Sequence, residues 1–277
     1  MFANPSAVER LRKREALFGC FLNLSSPISA YMAGTAGYDV ALLDQEHSPS
    51  GLDNAVACVN ALGAHPTELW VRVPGLDEHY LKRILDCGVD GVMCPMINTA
   101  EQARDLVRFC HYPPRGIRGL APGLGRHTGY GAYKGEYAER VGSALAIMPQ
   151  IETVEAVENI EEIVAVEGLD VFFVGPFDLS ASYGHAGRPD HPVVAAAIER
   201  IETTVRRAGK ALASLAVPNR DAGVLLDHGY DLIFGGADLN ILREGLESQL
   251  KGLRSAAAGK AGGAGQQPPR PAAVGGA

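Results

Sequence analysis

A chain of 277 residues with 47% hydrophobic residues can fill one large core, and α/β barrels reach this size as a single domain. Its net charge of −7, which becomes −9 for the body once the two cations of the acid-free tail (Lys260 and Arg270) are removed, excludes nucleic acid as the main partner, because phosphate binding requires clustered Lys and Arg. Five cysteines without CxxC spacing exclude a disulfide framework and a zinc site, and no apolar run reaches the roughly 18 residues of a membrane span.

Residues 1–15 read as a short polar helix. A charged stretch, Glu9-Arg10-Leu11-Arg12-Lys13-Arg14-Glu15, stands where a signal peptide would carry its apolar core, and with reduced cysteines this implies a cytoplasmic protein. From there strands and helices alternate. The strand candidates are Leu17–Leu22, Val40–Leu43, Leu69–Val73, Gly91–Cys94, Ala144–Met148, Val171–Val174, Ala211–Leu215 and Asp231–Phe234, mostly short apolar runs of the kind buried on both faces. The helices between them, Pro27–Ala36, Leu52–Ala61, Glu78–Asp86, Ala100–Phe109, Val154–Val166, Val193–Ala208, Arg220–Asp227 and Asn240–Leu253, carry apolar residues at three- and four-residue spacing. Eight strand–helix units are the count of a (β/α)8 TIM barrel, with a doubly wound sheet as runner-up. The expected domain covers residues 1–254, with an extra N-terminal helix. Residues 255–277, rich in Ala, Gly, Pro and Gln, are expected to be a disordered tail. One interval, residues 111–143, breaks the rhythm with Gly, Tyr and Arg, as a long functional loop does.

In a TIM barrel the chemistry sits at the C-terminal strand ends. Those positions hold Asp44-Gln45-Glu46-His47, Arg72-Val73-Pro74, Gln150-Ile151-Glu152 and Phe177-Asp178. Two acids, Glu152 and Asp178, each following a buried strand, point to a hard-cation site, although either alone could be a helix cap. His47 alone could be a loop histidine, and Arg72 alone a rim ion pair. Together the set suits proton transfer beside a carbonyl: a cation polarises a 2-oxo acid, Arg72 stabilises negative charge and His47 moves the proton. Oxygen ligands favour Mg²⁺ or Mn²⁺, with Co²⁺ as a further candidate. No lysine stands at a strand's C-terminal end, which argues against an imine mechanism. The pairs Gly123-Leu124-Gly125 and Gly129-Tyr130-Gly131 do not complete a dinucleotide fingerprint.

The motifs Asp44-Gln45-Glu46-His47, Val71-Arg72-Val73-Pro74, Pro95-Met96-Ile97-Asn98-Thr99-Ala100-Glu101, Tyr112-Pro113-Pro114-Arg115-Gly116-Ile117-Arg118-Gly119, Gln150-Ile151-Glu152-Thr153 and Gly175-Pro176-Phe177-Asp178-Leu179-Ser180 resemble those of the HpcH/HpaI aldolases, in order from about residue 17 to 253. The resemblance implies a metal-dependent pyruvate aldolase that cleaves a 4-hydroxy-2-oxo acid into pyruvate, or a similar 2-oxo acid, and an aldehyde. It implies Glu152 and Asp178 as metal ligands, His47 as acid/base and Arg72 as the transition-state cation. Gln150 and the backbone N–H of Phe177 would contact the 2-oxo acid together with Asp178 and Arg72. The family tends to pair its histidine with a carboxylate, for which Asp44 and Asp86 are candidates, Asp86, at a helix end, as one for a neighbouring subunit's site. It is typically hexameric, with the last helix exchanged between barrels. Phe177 departs from the small residue or Tyr common before the second ligand, and Leu120–Tyr133 and the 236–240 turn diverge as well. The alternatives are a CoA-ester lyase of malyl- or citramalyl-CoA type on the same barrel, disfavoured by the acidic body, and a non-catalytic scaffold.

Overall fold

Eight parallel strands close into a ring in chain order: β1 (Leu17–Leu22), β2 (Val40–Asp44), β3 (Glu68–Arg72), β4 (Gly91–Cys94), β5 (Ala146–Ile151), β6 (Val171–Val174), β7 (Ala211–Leu215) and β8 (Leu232–Ala237). This computed structural model describes residues 5–121, 123–133, 135 and 144–263. Pairing of Leu17 with Leu232 and Gly19 with Phe234 closes the ring between β1 and β8. The fold is the expected TIM barrel. Three strands run further than expected, β2 to Asp44, β5 to Ile151 and β8 to Ala237.

Each strand is apolar on both faces, yet its side chains still alternate. Leu42, Trp70, Met93, Met148, Phe173 and Phe234 form one buried cluster inside the ring. Leu43, Val71, Val92, Ile147, Phe172 and Ile233 belong to a second cluster, shared with the surrounding helices. Space for the largest rings comes from glycine: a Cβ on Gly19 would lie 2.5 Å from the Phe234 ring. The same period of two decides what reaches the mouth of the barrel. Counting inward positions along β2 leads from Leu42 to Asp44, along β3 from Trp70 to Arg72, and along β5 from Met148 to Gln150, with Glu152 the next step beyond the strand.

Helix α1 (Ala7–Arg12) starts in a capping box between Ser6 and Glu9. Expected to be polar, it buries Ala7, Val8 and Leu11 in the interior cluster, and the Ala7 N–H donates to Glu68 Oε1 at 2.7 Å at the N-terminal end of β3. Around the ring follow α2 (Pro27–Ala36), α3 (Leu52–Leu62), α4 (Glu78–Asp86) and α5 (Ala100–Cys110). The single helix expected over Val154–Val166 is two, α6 (Val154–Glu158) and α7 (Ile160–Val164). The break falls at Asn159, whose side-chain amide donates to the Asn98 carbonyl at 2.9 Å. A further short helix, α8 (Pro176–Ser182), precedes α9 (Pro192–Arg207), and α10 (Ala222–Asp227) begins after its Asp221 cap.

A first compact unit ends at Asp238 and a second begins at Leu239. The second unit contains α11 (Asp238–Gly263). This helix continues past Ser255, where the low-complexity segment begins. Ser255-Ala256-Ala257-Ala258 continues the helix because alanine has the highest intrinsic helix propensity. Residues 264–277 of that tail lie outside the described residues, as do 122, 134 and 136–143 of the long loop. Among the described residues no helix is long and apolar enough to cross a membrane.

Candidate active site at the barrel mouth

The register of β2 against β3 sets Asp44 opposite Arg72. Their side chains form a two-pronged ion pair, Nε to Oδ1 at 2.9 Å and Nη2 to Oδ2 at 2.7 Å. The guanidinium also lies 5.2 Å from the centre of the Phe21 ring, a cation–π contact. Asp44 is fully buried, and its oxygens accept in addition the Asn23 amide at 2.8 Å and the backbone N–H groups of Glu46 and His47 at 3.1 and 3.3 Å. Burial pushes this carboxyl up, but the hydrogen bond and charge of Arg72 outweigh it and hold Asp44 below the usual carboxylate range. Arg72 is raised in turn: burial works against its charge and Asp44 more than restores it.

Glu152 is buried just past β5. Its Oε1 accepts the Met96 N–H at 2.8 Å, and its Oε2 accepts from the Gln150 amide. Burial pushes Glu152 up to about 7, with the charges of Asp178 and Glu46 adding to the rise against the Met96 and Gln150 hydrogen bonds. Glu46 is also raised, by burial first and then, among other causes, by the charges of Asp44 and Asp178. Asp178 stands in the first turn of α8, exposed to solvent. The charge of Asp178 thus works against ionisation of both Glu46 and Glu152, and Arg72, the nearby cation, is already engaged by Asp44.

Those residues fit a divalent cation. Gln150 Oε1 is a buried acceptor with no hydrogen-bond partner among the described residues. A Cβ on Gly175 would sit 3.0 Å from Glu152 Oε2 and 3.2 Å from Gln150 Nε2, so glycine keeps this pocket open. Among the described residues no group of three or more His, Cys, Asp or Glu side chains is placed to hold a metal. A pair of carboxylates completed by water and substrate oxygen is the arrangement Mg²⁺ and Mn²⁺ accept.

The structure therefore brings Asp44, Arg72, Gln150, Glu152 and Asp178 to the barrel mouth, with His47 exposed on the loop after β2. Phe177 precedes Asp178 with its ring 44% exposed, and its carbonyl accepts the Ser180 hydroxyl at 2.6 Å. Within one chain neither expected carboxylate partner of His47 meets its ring. Asp86, the last residue of α4, is ion-paired with Arg118 at 2.7 Å and lies 3.6 Å from His127 Nδ1. Asp44 is saturated by the donors named above. The carboxylate that faces the His47 ring is Glu46, whose Oε2 lies 3.6 Å from His47 Nε2 and 3.2 Å from Arg72 Nη1. Sequence reasoning quoted Glu46 without singling it out, although it shares the even-numbered parity of Leu42 and Asp44. It also passed over Asn23 and the Met96 N–H. Met96 has φ +57°, a conformation rare for a side-chain-bearing residue, and it aims that N–H at Glu152.

Comparison with known proteins agrees in extent and in kind. The chain is 39% identical over 227 residues to a hydroxypyruvate/pyruvate aldolase of Chromohalobacter salexigens, covering 82% of this chain and 89% of that protein. It is 36% identical over 230 residues to a 4-hydroxy-2-oxo-heptane-1,7-dioate aldolase of Shigella sonnei, covering 83% and 87%. A crystal structure of an HpcH/HpaI aldolase/citrate lyase family protein from Burkholderia cenocepacia aligns at a TM-score of 0.85 and 34% identity, covering 89% of this chain and 98% of that one. The family model for HpcH/HpaI aldolase/citrate lyase matches residues 17–244, from the first residue of β1 into α11. With its barrel matched from end to end, the chain belongs to the HpcH/HpaI aldolase/citrate lyase family.

Proposed function

We propose that this chain catalyses reversible aldol cleavage of a 4-hydroxy-2-oxo acid to pyruvate, or a similar 2-oxo acid, and an aldehyde, with Mg²⁺ or Mn²⁺ held by Glu152 and Asp178. As a member of its family it is a carbon–carbon lyase. The observation that carries the reading is the pairing of a fixed guanidinium, Arg72 clamped by Asp44, with the buried carboxylate Glu152, whose hydrogen bonds come from the neutral donors of Met96 and Gln150. The relatives' names point to pyruvate as the shared half of the substrate. They favour the aldolase over the CoA-ester lyase.

In the cleavage direction His47 takes the proton of the 4-hydroxyl as the C3–C4 bond breaks. The aldehyde departs, and the bonding electrons pass to the 2-oxo group as an enolate. Arg72 offers its remaining N–H donors to the oxygen where that charge collects. Because Asp44 has already set the guanidinium, no reorganisation is needed at that moment. A proton returned to C3 completes pyruvate. The bound cation supplies Lewis-acid polarisation of the 2-oxo group. Gln150 and the Phe177 N–H, in the first turn of α8 where helical N–H groups lack helical partners, orient the 2-oxo acid.

We further propose a homo-hexamer working in the cytoplasm. In α11, Leu239, Leu242, Leu246, Leu250 and Leu253 recur at helical spacing along one exposed face, as a helix that packs on another copy requires. The test of the activity is exchange of pyruvate methyl protons in D₂O, followed by NMR on metal-stripped protein and again with Mg²⁺ or Mn²⁺. Cation-dependent exchange is expected. No exchange from protein with Mn²⁺ bound refutes the reading.

A further inference from the structure

We infer that Asn98, clamped by Thr153 and Asn159, is a positioning residue for Glu152: it holds Met96 in a left-handed turn whose backbone N–H fixes the cation-binding carboxylate. The inference rests on the proposed role of Glu152 as a cation ligand and names what aims that ligand.

Met96 lies in the connection between β4 and α5. Its φ is +57° and its side chain is 51% exposed, while the next residue, Ile97, is fully buried. For a residue with a Cβ this conformation is disfavoured roughly 5- to 30-fold, and it persists only where the surroundings over-determine it. The surroundings here converge on Asn98. Its Oδ1 accepts the Thr153 hydroxyl at 2.6 Å, its carbonyl accepts the Asn159 amide at 2.9 Å, and its N–H donates to Gln102 Oε1 at 2.7 Å. Gln102 Oε1 also accepts the Thr99 N–H at 3.1 Å, within the capping box of α5. Thr153 directly follows Glu152, and Asn159 stands at the break between α6 and α7. Asn98 thus ties the β4–α5 connection to the segment that bears the carboxylate. The strained turn yields one well-aimed donor, the Met96 N–H, 2.8 Å from Glu152 Oε1. With Oε1 tied to Met96 and Oε2 to the Gln150 amide, Glu152 is held in one orientation before any cation arrives.

The experiment exploits the strain. Glycine populates both signs of φ about equally, so Met96→Gly keeps the N–H and needs the clamp far less. Mn²⁺ affinity by calorimetry, and amide hydrogen exchange around Met96 in cation-free protein, are measured on wild type and three variants. These are Met96→Gly, the clamp-free pair Asn98→Ala with Asn159→Ala, and all three changes together. The clamp-free pair is expected to bind Mn²⁺ about tenfold more weakly, at the low end of the ~10–100-fold that loss of a ligand's orienting partner costs, and to lose protection at Met96. Adding Met96→Gly to that pair should bring affinity back to within about threefold of wild type, a rescue that a merely structural role for Asn98 would not give. If the pair does not fold, Asn159→Ala alone, with and without Met96→Gly, makes the same comparison. Affinity within twofold of wild type in the clamp-free protein, a loss that Met96→Gly leaves unrelieved, or unchanged protection at Met96 each overturns the assignment. Wild-type protein that binds no Mn²⁺ refutes the cation reading instead, and the exchange comparison then decides whether Asn98 holds the turn.

Discussion

A proton and a divalent cation should compete for Glu152. Its carboxyl ordinarily titrates at 4.5 and burial carries it to about 7 in the cation-free protein, with Asp178 and Glu46 adding to the rise. The folded chain then holds a proton that the unfolded chain has released between those two values. The stability tied to this group is present in full below 4.5 and is lost as pH rises through 7, by on the order of 3 kcal/mol at about 1.4 kcal/mol per unit. Cation binding runs the other way, because only the carboxylate is a ligand. Affinity for Mn²⁺ should fall as pH drops below 7, approaching tenfold per unit, or on the order of 30-fold between pH 8 and 5.5. The assay is Mn²⁺ titration calorimetry across that range, paired with thermal melts of chelator-treated protein. Glu152→Gln removes the titrating group, so the pH slope of the melts should flatten and affinity should collapse at every pH. An affinity indifferent to pH in the wild type, or the same melt slope in Glu152→Gln, would refute the reasoning.

Three further outcomes follow from the geometry. Arg72→Lys keeps a charge but cannot reproduce both bonds to Asp44, so kcat for pyruvate exchange should fall by on the order of 10²-fold, as when an oxyanion donor is removed; steady-state rates at saturating Mn²⁺ check it. Gly175→Ala places a methyl 3.0 Å from Glu152 Oε2. It should weaken Mn²⁺ binding at least tenfold while costing only about 1–3 kcal/mol of stability by denaturant titration. Paired Leu246→Glu and Leu250→Glu changes should reduce the particle mass in sedimentation and leave the barrel's circular dichroism in place.

How legible was this protein in its sequence? The barrel was legible because buried parallel strands are short apolar runs, and eight of them with intervening helices leave few architectures. The site was legible wherever a polar residue interrupts such a run at a strand end, as Asp44, Arg72 and Glu152 do. What stayed hidden depends on partners distant in sequence. The helix break at Asn159 comes from the Asn98 carbonyl. The ion pair of Asp86 comes from Arg118, whose fully buried side chain reaches back from the long loop and stacks 4.7 Å from the Tyr112 ring. Glu46 was hidden differently. Its position within Asp44–His47 was in plain view, but nothing local tells which of two acids two residues apart will take the arginine. The β2–β3 register decides that by setting Asp44, and not Glu46, opposite Arg72.

That division of labour between the acids explains where a cation belongs. Asp44 is held ionised by Arg72 and is spent on holding it, so it adds little net negative charge to the mouth of the barrel. Glu46 has only an unaligned share of the same guanidinium, and Glu152 has none of it within bonding distance, receiving neutral donors from Met96 and Gln150. Negative charge is therefore compensated on the β2–β3 side and uncompensated toward Glu152 and Asp178. A divalent ion bound there would work against the burial, and the smaller carboxylate repulsion, that raise Glu46 and Glu152. Cation binding and proton release from these two acids would then be linked. The acid limb of pyruvate exchange should therefore shift to lower pH as Mn²⁺ concentration rises; an acid limb independent of Mn²⁺ would mean that proton and cation do not compete at these carboxylates.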